Sequence, residues 1–437
     1  MNVVKFLEEL EAKEIKLWVE NTKLLCETPK GGLTETERAK LKHHRDEIIA
    51  LLSGKKEMPS EYPLSPGQNA LWLIYRLAPE SPAYNTGVAL RIRSFVDIPA
   101  LCRSFQRLTD RHPCLRTTFV EKDGIPFQKV HEDRDVSFHR RDASGWDDDR
   151  LRNEVRNAHQ AVFNLENGPI MRVSLFSRSQ EDHALLLSMH HIITDGWSIW
   201  LMLDELRQIY PAEKQGVQAD LPLPKFFYAD YVRAQSEIIS GPESEKLWAY
   251  WREQLSGDLP ALNLPTDRPV PPVQTYNGLS VPFEINRTLA QKLTAFSREQ
   301  GVTQYMTLLG AFYTLLHRYT GQEDILVGSP LTGRDRAEWS GIAGYFVNIV
   351  VLRADISNDP LFPDFLAQIR GIVSGVMKHG RYPFPLLVRK LRPDRESGRT
   401  PLIRAAFALQ TPQQSGSPEE IANIGGLVTE HLDMDHY

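Results

Sequence analysis

Ser188-Met-His-His-Ile-Ile-Thr-Asp-Gly-Trp-Ser198 overlaps and extends the apolar run Ala184-Leu-Leu-Leu-Ser-Met189. The run has strand length, and Gly196 marks where regular structure is expected to break. Successive strand side chains point to opposite faces, so His190 and His191 cannot both enter one cavity, and one of them is expected to be structural. Metal ligation is disfavoured because the two rings diverge and no carboxylate or cysteine set stands nearby at ligand spacing. A core histidine satisfied by a backbone carbonyl is the ordinary alternative. Asp195 and Gly196 favour a reactive loop: an acidic side chain four residues past His191 can organise the turn that carries the imidazole, and a glycine frees a backbone N–H beside a reacting oxyanion. Imidazole relays protons near neutral pH and suits acyl transfer. Neither a serine in a nucleophile elbow nor a cysteine paired with a histidine is evident. Direct attack of a bound nucleophile on an activated acyl group is therefore the expected chemistry.

Outward from this stretch, 437 residues exceed one ordinary core and call for two or three packed units. A hydrophobic fraction of 41% and a charged fraction of 24% belong to a soluble globular protein. The net charge of -5 gives no basic character that would select nucleic acid as a partner. No apolar run reaches membrane-spanning length and the N-terminus carries no signal-peptide pattern, so no membrane partner and a cytoplasmic location are expected. Cys26, Cys102 and Cys114 are widely spaced and give neither a disulfide framework nor a zinc motif.

Residues 1–57 read as a separate small unit: a helix over 2–13, a hairpin of 15–19 with 23–26, and a helix that starts at the capping box Thr34-Glu-Thr-Glu37 and runs to residue 52. So small a core calls for self-association or docking. Lys40, Lys42, His43, His44 and Arg45 cluster on the last helix, either as a solvated face or as a landing site for an acidic peptide. Residues 58–61 have linker composition. Beyond them, strand-like runs at 88–92, 172–176 and 183–189 alternate with helical stretches at 99–111, 149–163 and 199–210. A proline-rich crossing over 260–274 leads to helices at 289–300 and 305–319, strands at 324–328 and 346–352, and a helix at 362–378. The expected fold is α/β (α+β): two lobes, 62–265 and 266–437, face each other across a cleft behind a small N-terminal α/β unit.

His190-His-Ile-Ile-Thr-Asp-Gly196 resembles the HHxxxDG motif of condensation domains of nonribosomal peptide synthetases. Six further stretches resemble that family's motifs in its order: Ser65-Pro-Gly-Gln-Asn-Ala-Leu-Trp72, Arg111-His-Pro-Cys-Leu-Arg-Thr-Thr-Phe119, Tyr228-Ala-Asp-Tyr231, Ile342-Ala-Gly-Tyr-Phe-Val-Asn348, Tyr382-Pro-Phe384 and Arg399-Thr-Pro-Leu402. The resemblance implies two lobes like chloramphenicol acetyltransferase, set in a V around a central tunnel. It implies that donor and acceptor carrier proteins enter from opposite faces, each with a substrate on a phosphopantetheine arm, and that the domain itself binds no cofactor or metal. The acceptor amine would attack the donor thioester, leaving an amide on the acceptor carrier. By the same resemblance His191 is the catalytic histidine, as base or as the group that positions the amine, and Gly196 keeps the approach open. His190 becomes the structural partner, Asp195 pairs with Arg334, and Trp197 packs nearby. Arg116, Tyr345 and Asn348 become tunnel or scaffold residues.

The N-terminal unit resembles docking domains of the type first recognised in tubulysin synthetases. That likeness implies a hairpin edge that takes the C-terminal segment of an upstream megasynthase subunit by strand addition, with Lys40, Lys42 and Arg45 selecting an acidic partner. The donor, peptidyl or polyketide, would then arrive from another polypeptide, and an acceptor carrier and an adenylation domain would lie downstream. Family members continue past the seventh motif, so the second lobe is expected to be truncated after Tyr437. No DxxxxD stands in place of HHxxxDG, against heterocyclisation, and no DFGWG of plant acyltransferases is present. A silent recruitment platform, a stand-alone acyl-CoA-type acyltransferase and an epimerisation domain remain alternatives, the last disfavoured by placement at the start of a chain.

Overall fold

The computed structural model describes parts of residues 6–48, residues 59–391 apart from 223, 270, 272–273 and 277, and residues 402–410 and 422–433. In the N-terminal unit, β1 (Lys16–Glu20) and β2 (Lys23–Glu27) form an antiparallel hairpin, and α1 (Glu35–His43) follows. The helix opens on the capping box read from sequence: Glu37 N–H donates to Thr34 Oγ1 at 3.2 Å, and Thr34 N–H donates to Glu37 Oε2 at 2.8 Å. Phe6, Leu10, Ile15, Leu41 and Ile48 form the small core. Lys40 is half-buried with its ammonium 5.2 Å from the centre of the Phe6 ring, whereas Lys42 and Arg45 are exposed. The expected ends of the flanking helices, at 2–5 and 49–52, lie outside the described residues, as does the seventh-motif stretch 399–401.

The first lobe runs β3 (Glu61–Pro63), α2 (Pro66–Leu77), β4 (Asn85–Ile92), α3 (Ile98–Arg111), β5 (Thr117–Lys122), β6 (Ile125–Val130), β7 (Phe138–Asp142), α4 (Asp148–Gln160), β8 (Met171–Ser177), β9 (His183–His190) and α5 (Gly196–Gln215). After α6 (Tyr228–Ser240) and α7 (Pro242–Gln254), the second lobe supplies α8 (Arg287–Glu299), α9 (Gln304–Thr320), β10 (Asp324–Leu331), β11 (Asn348–Asp355), α10 (Phe362–His379) and α11 (Phe384–Leu391). A terminal hairpin, β12 (Asn423–Ile424) and β13 (Leu427–His431), completes the described chain.

The apolar run that suggested a strand is the middle of the main sheet, ordered β12-β13-β4-β9-β8-β7. Every residue of β9 is buried because both faces are covered. Leu185, Leu187 and Met189 enter the core shared with α3 and α5, while Ala184 and Leu186 pack with Leu151 and Val155 of α4. That parity assigns His190 to the α4 face. A second core, around Trp251, Tyr313, Phe365 and Ile369, belongs to the other lobe and packs on the antiparallel pair β10–β11.

The second-lobe segment expected over 266–437 does not stay in that lobe. β13 pairs antiparallel with β4, Thr429 opposite Ile92, and so extends the first lobe's sheet. Gly425 and Gly426, both at positive φ (62° and 87°), make the two-residue turn that folds β12 onto β13. Leu427 enters the first-lobe core, and Arg93 holds Glu430 at 3.0 Å. A strand edge accepts any extended segment of suitable pattern, so local sequence could not name the sheet that this one joins.

Candidate active site

The strand does not continue through both histidines. It ends at His190, and His191 opens a single 3-10 turn, His191–Ile193, so strand alternation does not govern this pair; the two rings are held instead by different backbone partners. His190 Nδ1 accepts from the Ile192 N–H at 3.1 Å, so its proton sits on Nε2. Burial, with a smaller contribution from the neighbouring imidazole, pulls its pKa down to about 3 and keeps the ring neutral. His191 has the opposite tautomer. Its Nδ1 lies 2.6 Å from the Thr194 carbonyl, which can only accept, so Nδ1 carries the proton and Nε2 keeps a lone pair. The His191 backbone N–H is tied to the Tyr84 carbonyl at 2.8 Å, and Gln68 Nε2 holds the Ile192 carbonyl at 3.0 Å.

Tyr345, from the second lobe, meets His191 edge-on, with ring centroids 5.1 Å apart and planes at 84°. Its carbonyl accepts from the Tyr228 hydroxyl at 2.6 Å, and that hydroxyl also lies 3.1 Å from Ser65 Oγ at the start of α2. Burial raises the Tyr345 phenol, which stays neutral.

Asp195 does not orient His191. It caps α5, with Oδ1 accepting from Ser198 N–H at 2.9 Å and Ser198 Oγ at 2.7 Å. Its Oδ2 accepts from Arg334 Nη1 at 2.6 Å and from Phe346 N–H at 3.2 Å. The two charged side chains are only 4% and 2% exposed. Arg334 Nη2 donates to Ser198 Oγ and to the Ile342 carbonyl, each at 3.0 Å, and the guanidinium stands 4.0 Å from the Phe346 ring centre. Its Nε has no partner among the described residues. Gly333, at φ 67°, makes the turn that aims Arg334, and a Cβ there would collide with the Phe346 carbonyl oxygen. Phe346 gives its N–H to Asp195, and β11 begins only at Asn348, later than the strand expected from residue 346.

Gly196 is exposed at the first position of α5, and nothing lies within 4 Å of where a Cβ would stand. The Trp197 indole N–H crosses to the Ser340 carbonyl at 2.8 Å. Arg116 and Asn348 hold backbone: Arg116 Nη1 donates to the His131 carbonyl, and Asn348 clamps the α10–α11 connection through the Gly380 and Tyr382 carbonyls (2.7 and 2.8 Å) and the Phe384 N–H (2.9 Å). Cys114 is no nucleophile, since burial first and the Asp195 charge second push its thiol up to about 12. Among the described residues, no cluster of His, Cys, Asp or Glu is placed to hold a metal ion.

Gln68, Ser198 and Tyr228 carry the turn, the ion pair and the interlobe contact, yet sequence reasoning assigned them no role. Gln68 and Tyr228 lie in quoted motifs and Ser198 two residues past one, which was the available signal. Two cavities flank the Leu331–Arg334 segment: one of about 750 Å³ reaches Gly196, and one of about 810 Å³ lies against Tyr231, Trp339 and Arg381.

The family model described as the condensation domain matches residues 58–432, and that of the TubC N-terminal docking domain matches residues 3–53. A linear gramicidin synthase subunit of Brevibacillus parabrevis is 39% identical over 354 residues, which are 80% of this chain and 5% of that protein. Surfactin synthase subunit 1 of Bacillus subtilis is 34% identical over 395 residues, 90% of this chain and 10% of that protein. The chain thus spans only a small part of the curated relatives it matches. Among solved structures, the X-domain from teicoplanin biosynthesis is similar with a TM-score of 0.77 at 22% identity, covering 86% of this chain and 83% of that one. The first condensation domain of the CDA synthetase gives 0.69 at 20% identity, covering 86% and 87%. These two likenesses concern the fold; with the family match across residues 58–432, this chain belongs to the condensation-domain family of nonribosomal peptide synthetases, preceded by a docking domain of the TubC type.

Proposed function

We propose that this chain forms an amide bond between two carrier-bound substrates, as an acyltransferase. The reading is carried by the Nδ1 bond of His191 to the Thr194 carbonyl, which leaves Nε2 able to accept a proton where the two lobes meet. The acceptor amine nitrogen attacks the donor thioester carbonyl, and the amine proton passes to His191 Nε2. The tetrahedral oxyanion then collapses, the C–S bond breaks, and the imidazolium returns the proton to the departing phosphopantetheine thiolate. Gly196, exposed at the first position of α5 with nothing within 4 Å of where a Cβ would stand, leaves the approach to the reacting carbonyl open. Asp195 and Arg334 hold the turn and the lobes, and take no part in proton transfer.

The same proposal takes the donor from an upstream subunit whose C-terminal segment adds to the hairpin β1–β2, with Lys42 and Arg45 exposed for an acidic partner and Lys40 beside them. An acceptor carrier and an adenylation domain would follow. The division into docking unit (1–57), linker (58–61) and two lobes belongs to the proposal, as does a cytoplasmic location; the boundary expected at 265 moves forward, since Leu247, Trp251, Leu255 and Leu262 pack in the second lobe's core and the terminal hairpin returns to the first lobe. Among the described residues, no helix is long and apolar enough to cross a membrane.

Intact-protein mass spectrometry of an acyl-loaded donor carrier mixed with an aminoacyl-loaded acceptor carrier tests the reading. Transfer of the acyl mass to the acceptor is expected, with a loss of about 10²–10⁴-fold in a folded His191→Ala variant. No transfer with matched, loaded carriers would favour a silent recruitment platform.

A further inference from the structure

The cavity beside Gly196 spans about 750 Å³, a volume that includes space open to solvent. Trp197, Trp200, Tyr305, Leu331, Val347 and Leu409 line it. The charges on its wall, Asp195 and Arg334, neutralise each other at 2.6 Å. The Tyr305 and Ser329 hydroxyls lie 2.7 Å apart, Ser329 Oγ reaches the Phe407 carbonyl at 2.9 Å, and the Trp197 N–H is bound to Ser340. The two hydroxyls and the indole N–H are engaged with protein, Arg334 Nε has no partner among the described residues, and Thr332 and Gln410 complete the polar part of the wall. A charged group that enters would lose water and meet no net counter-charge, since Asp195 already neutralises Arg334, whereas an apolar group has no hydration of that kind to lose.

Gly196 and Trp200 lie four residues apart on one face of α5, and helical side chains lean toward the N-terminus, which brings the indole toward position 196. Because residue 196 has no side chain and nothing fills the space where one would stand, the cavity stays open over the indole.

We propose that this cavity seats the side chain or acyl chain of one substrate and selects an uncharged apolar group of aromatic or branched aliphatic size, with Trp200 as the specificity-determining residue. The assignment rests on the amide-forming reading for the origin of the ligand. Calorimetric titration of the full chain carrying His191→Ala, which cannot relay the proton, with non-reactive amide analogues of loaded pantetheine tests it. One series carries phenylalanyl, leucyl, glutamyl and lysyl groups with a free amine; the other carries matching acyl groups without it.

Apolar analogues are expected to bind at least tenfold tighter than charged ones. A preference confined to the amine series assigns the cavity to the acceptor, and one confined to the acyl series assigns it to the donor. Trp200→Ala should reduce the discrimination below threefold and Trp200→Phe should keep it. Gly196→Val, which fills the opening without backbone strain, should weaken apolar binding at least tenfold, and it decides the question if Trp200→Ala does not fold. Equal binding of charged and apolar analogues in both series, or discrimination that survives both Trp200→Ala and Gly196→Val, would overturn the assignment. Transfer by the unaltered protein is measured separately: its absence with the binding preference intact would overturn the amide-forming reading and leave the cavity assigned.

Discussion

Asp195→Asn removes one charge and almost no volume from the contact between lobes. At 2.6 Å, unit charges in a medium of effective dielectric about 20 attract by about 6 kcal/mol, and the desolvation of two such ions is of comparable size. The intact pair is therefore close to neutral for stability. The variant is not, because the Arg334 side chain, 4% exposed, would remain charged without a counter-ion, at a cost of about 3–5 kcal/mol. An asparagine amide would also turn donors toward two or more of the four groups that now donate to the carboxylate: Ser198 N–H and Oγ, Arg334 Nη1 and Phe346 N–H. Asp195→Asn/Arg334→Met should be less destabilised than Asp195→Asn alone, since no charge is then stranded. Urea unfolding followed by tryptophan fluorescence reports directly, because the Trp197 ring lies 5.7 Å from the guanidinium. The reasoning fails if Asp195→Asn unfolds at the urea concentration of the unaltered protein, or if the two substitutions add without coupling.

Three further outcomes follow from the geometry. His190 is lowered from 6.5 to about 3, so the unfolded chain binds its proton first: the stabilisation is complete above about pH 6.5 and is lost as pH falls toward 3, by up to about 5 kcal/mol. Melting temperatures across that range should fall less steeply for His190→Gln, and parallel curves would count against the burial argument. Gly333→Ala sets a Cβ against the Phe346 carbonyl at a positive φ and should cost about 1–3 kcal/mol in a thermal melt; a change below about 0.5 would show that the turn relaxes freely. Asn348→Ala leaves the Gly380 and Tyr382 carbonyls and the Phe384 N–H without their partner, for about 2–3 kcal/mol by denaturant titration, and unchanged stability would mean that water replaces the clamp.

Much of the first lobe was legible because its pattern is local. The run 183–189 reads as a buried strand since both faces of β9 are covered, and α3 reads as a helix since Leu101, Phe105 and Leu108 fall on one face. β7 was missed: Phe138-His-Arg-Arg-Asp142 is largely exposed and shows no apolar alternation, and it is a strand only because β8 lies beside it. α6 and α7 were likewise not read as helices, though Tyr228 and Tyr231 of α6 bury their rings against Phe346.

By itself the sequence determined that a helix starts after Thr34 and that a condensation-type motif set runs along the chain, because capping and motif order are properties of neighbouring residues. Only the tertiary structure decided that Asp195 faces Arg334 rather than His191, that the Thr194 carbonyl selects the His191 tautomer, and that β13 joins the first lobe's sheet. Those outcomes depend on which surfaces the fold brings within hydrogen-bonding distance, and Asp195 and Arg334 are 139 positions apart in the chain.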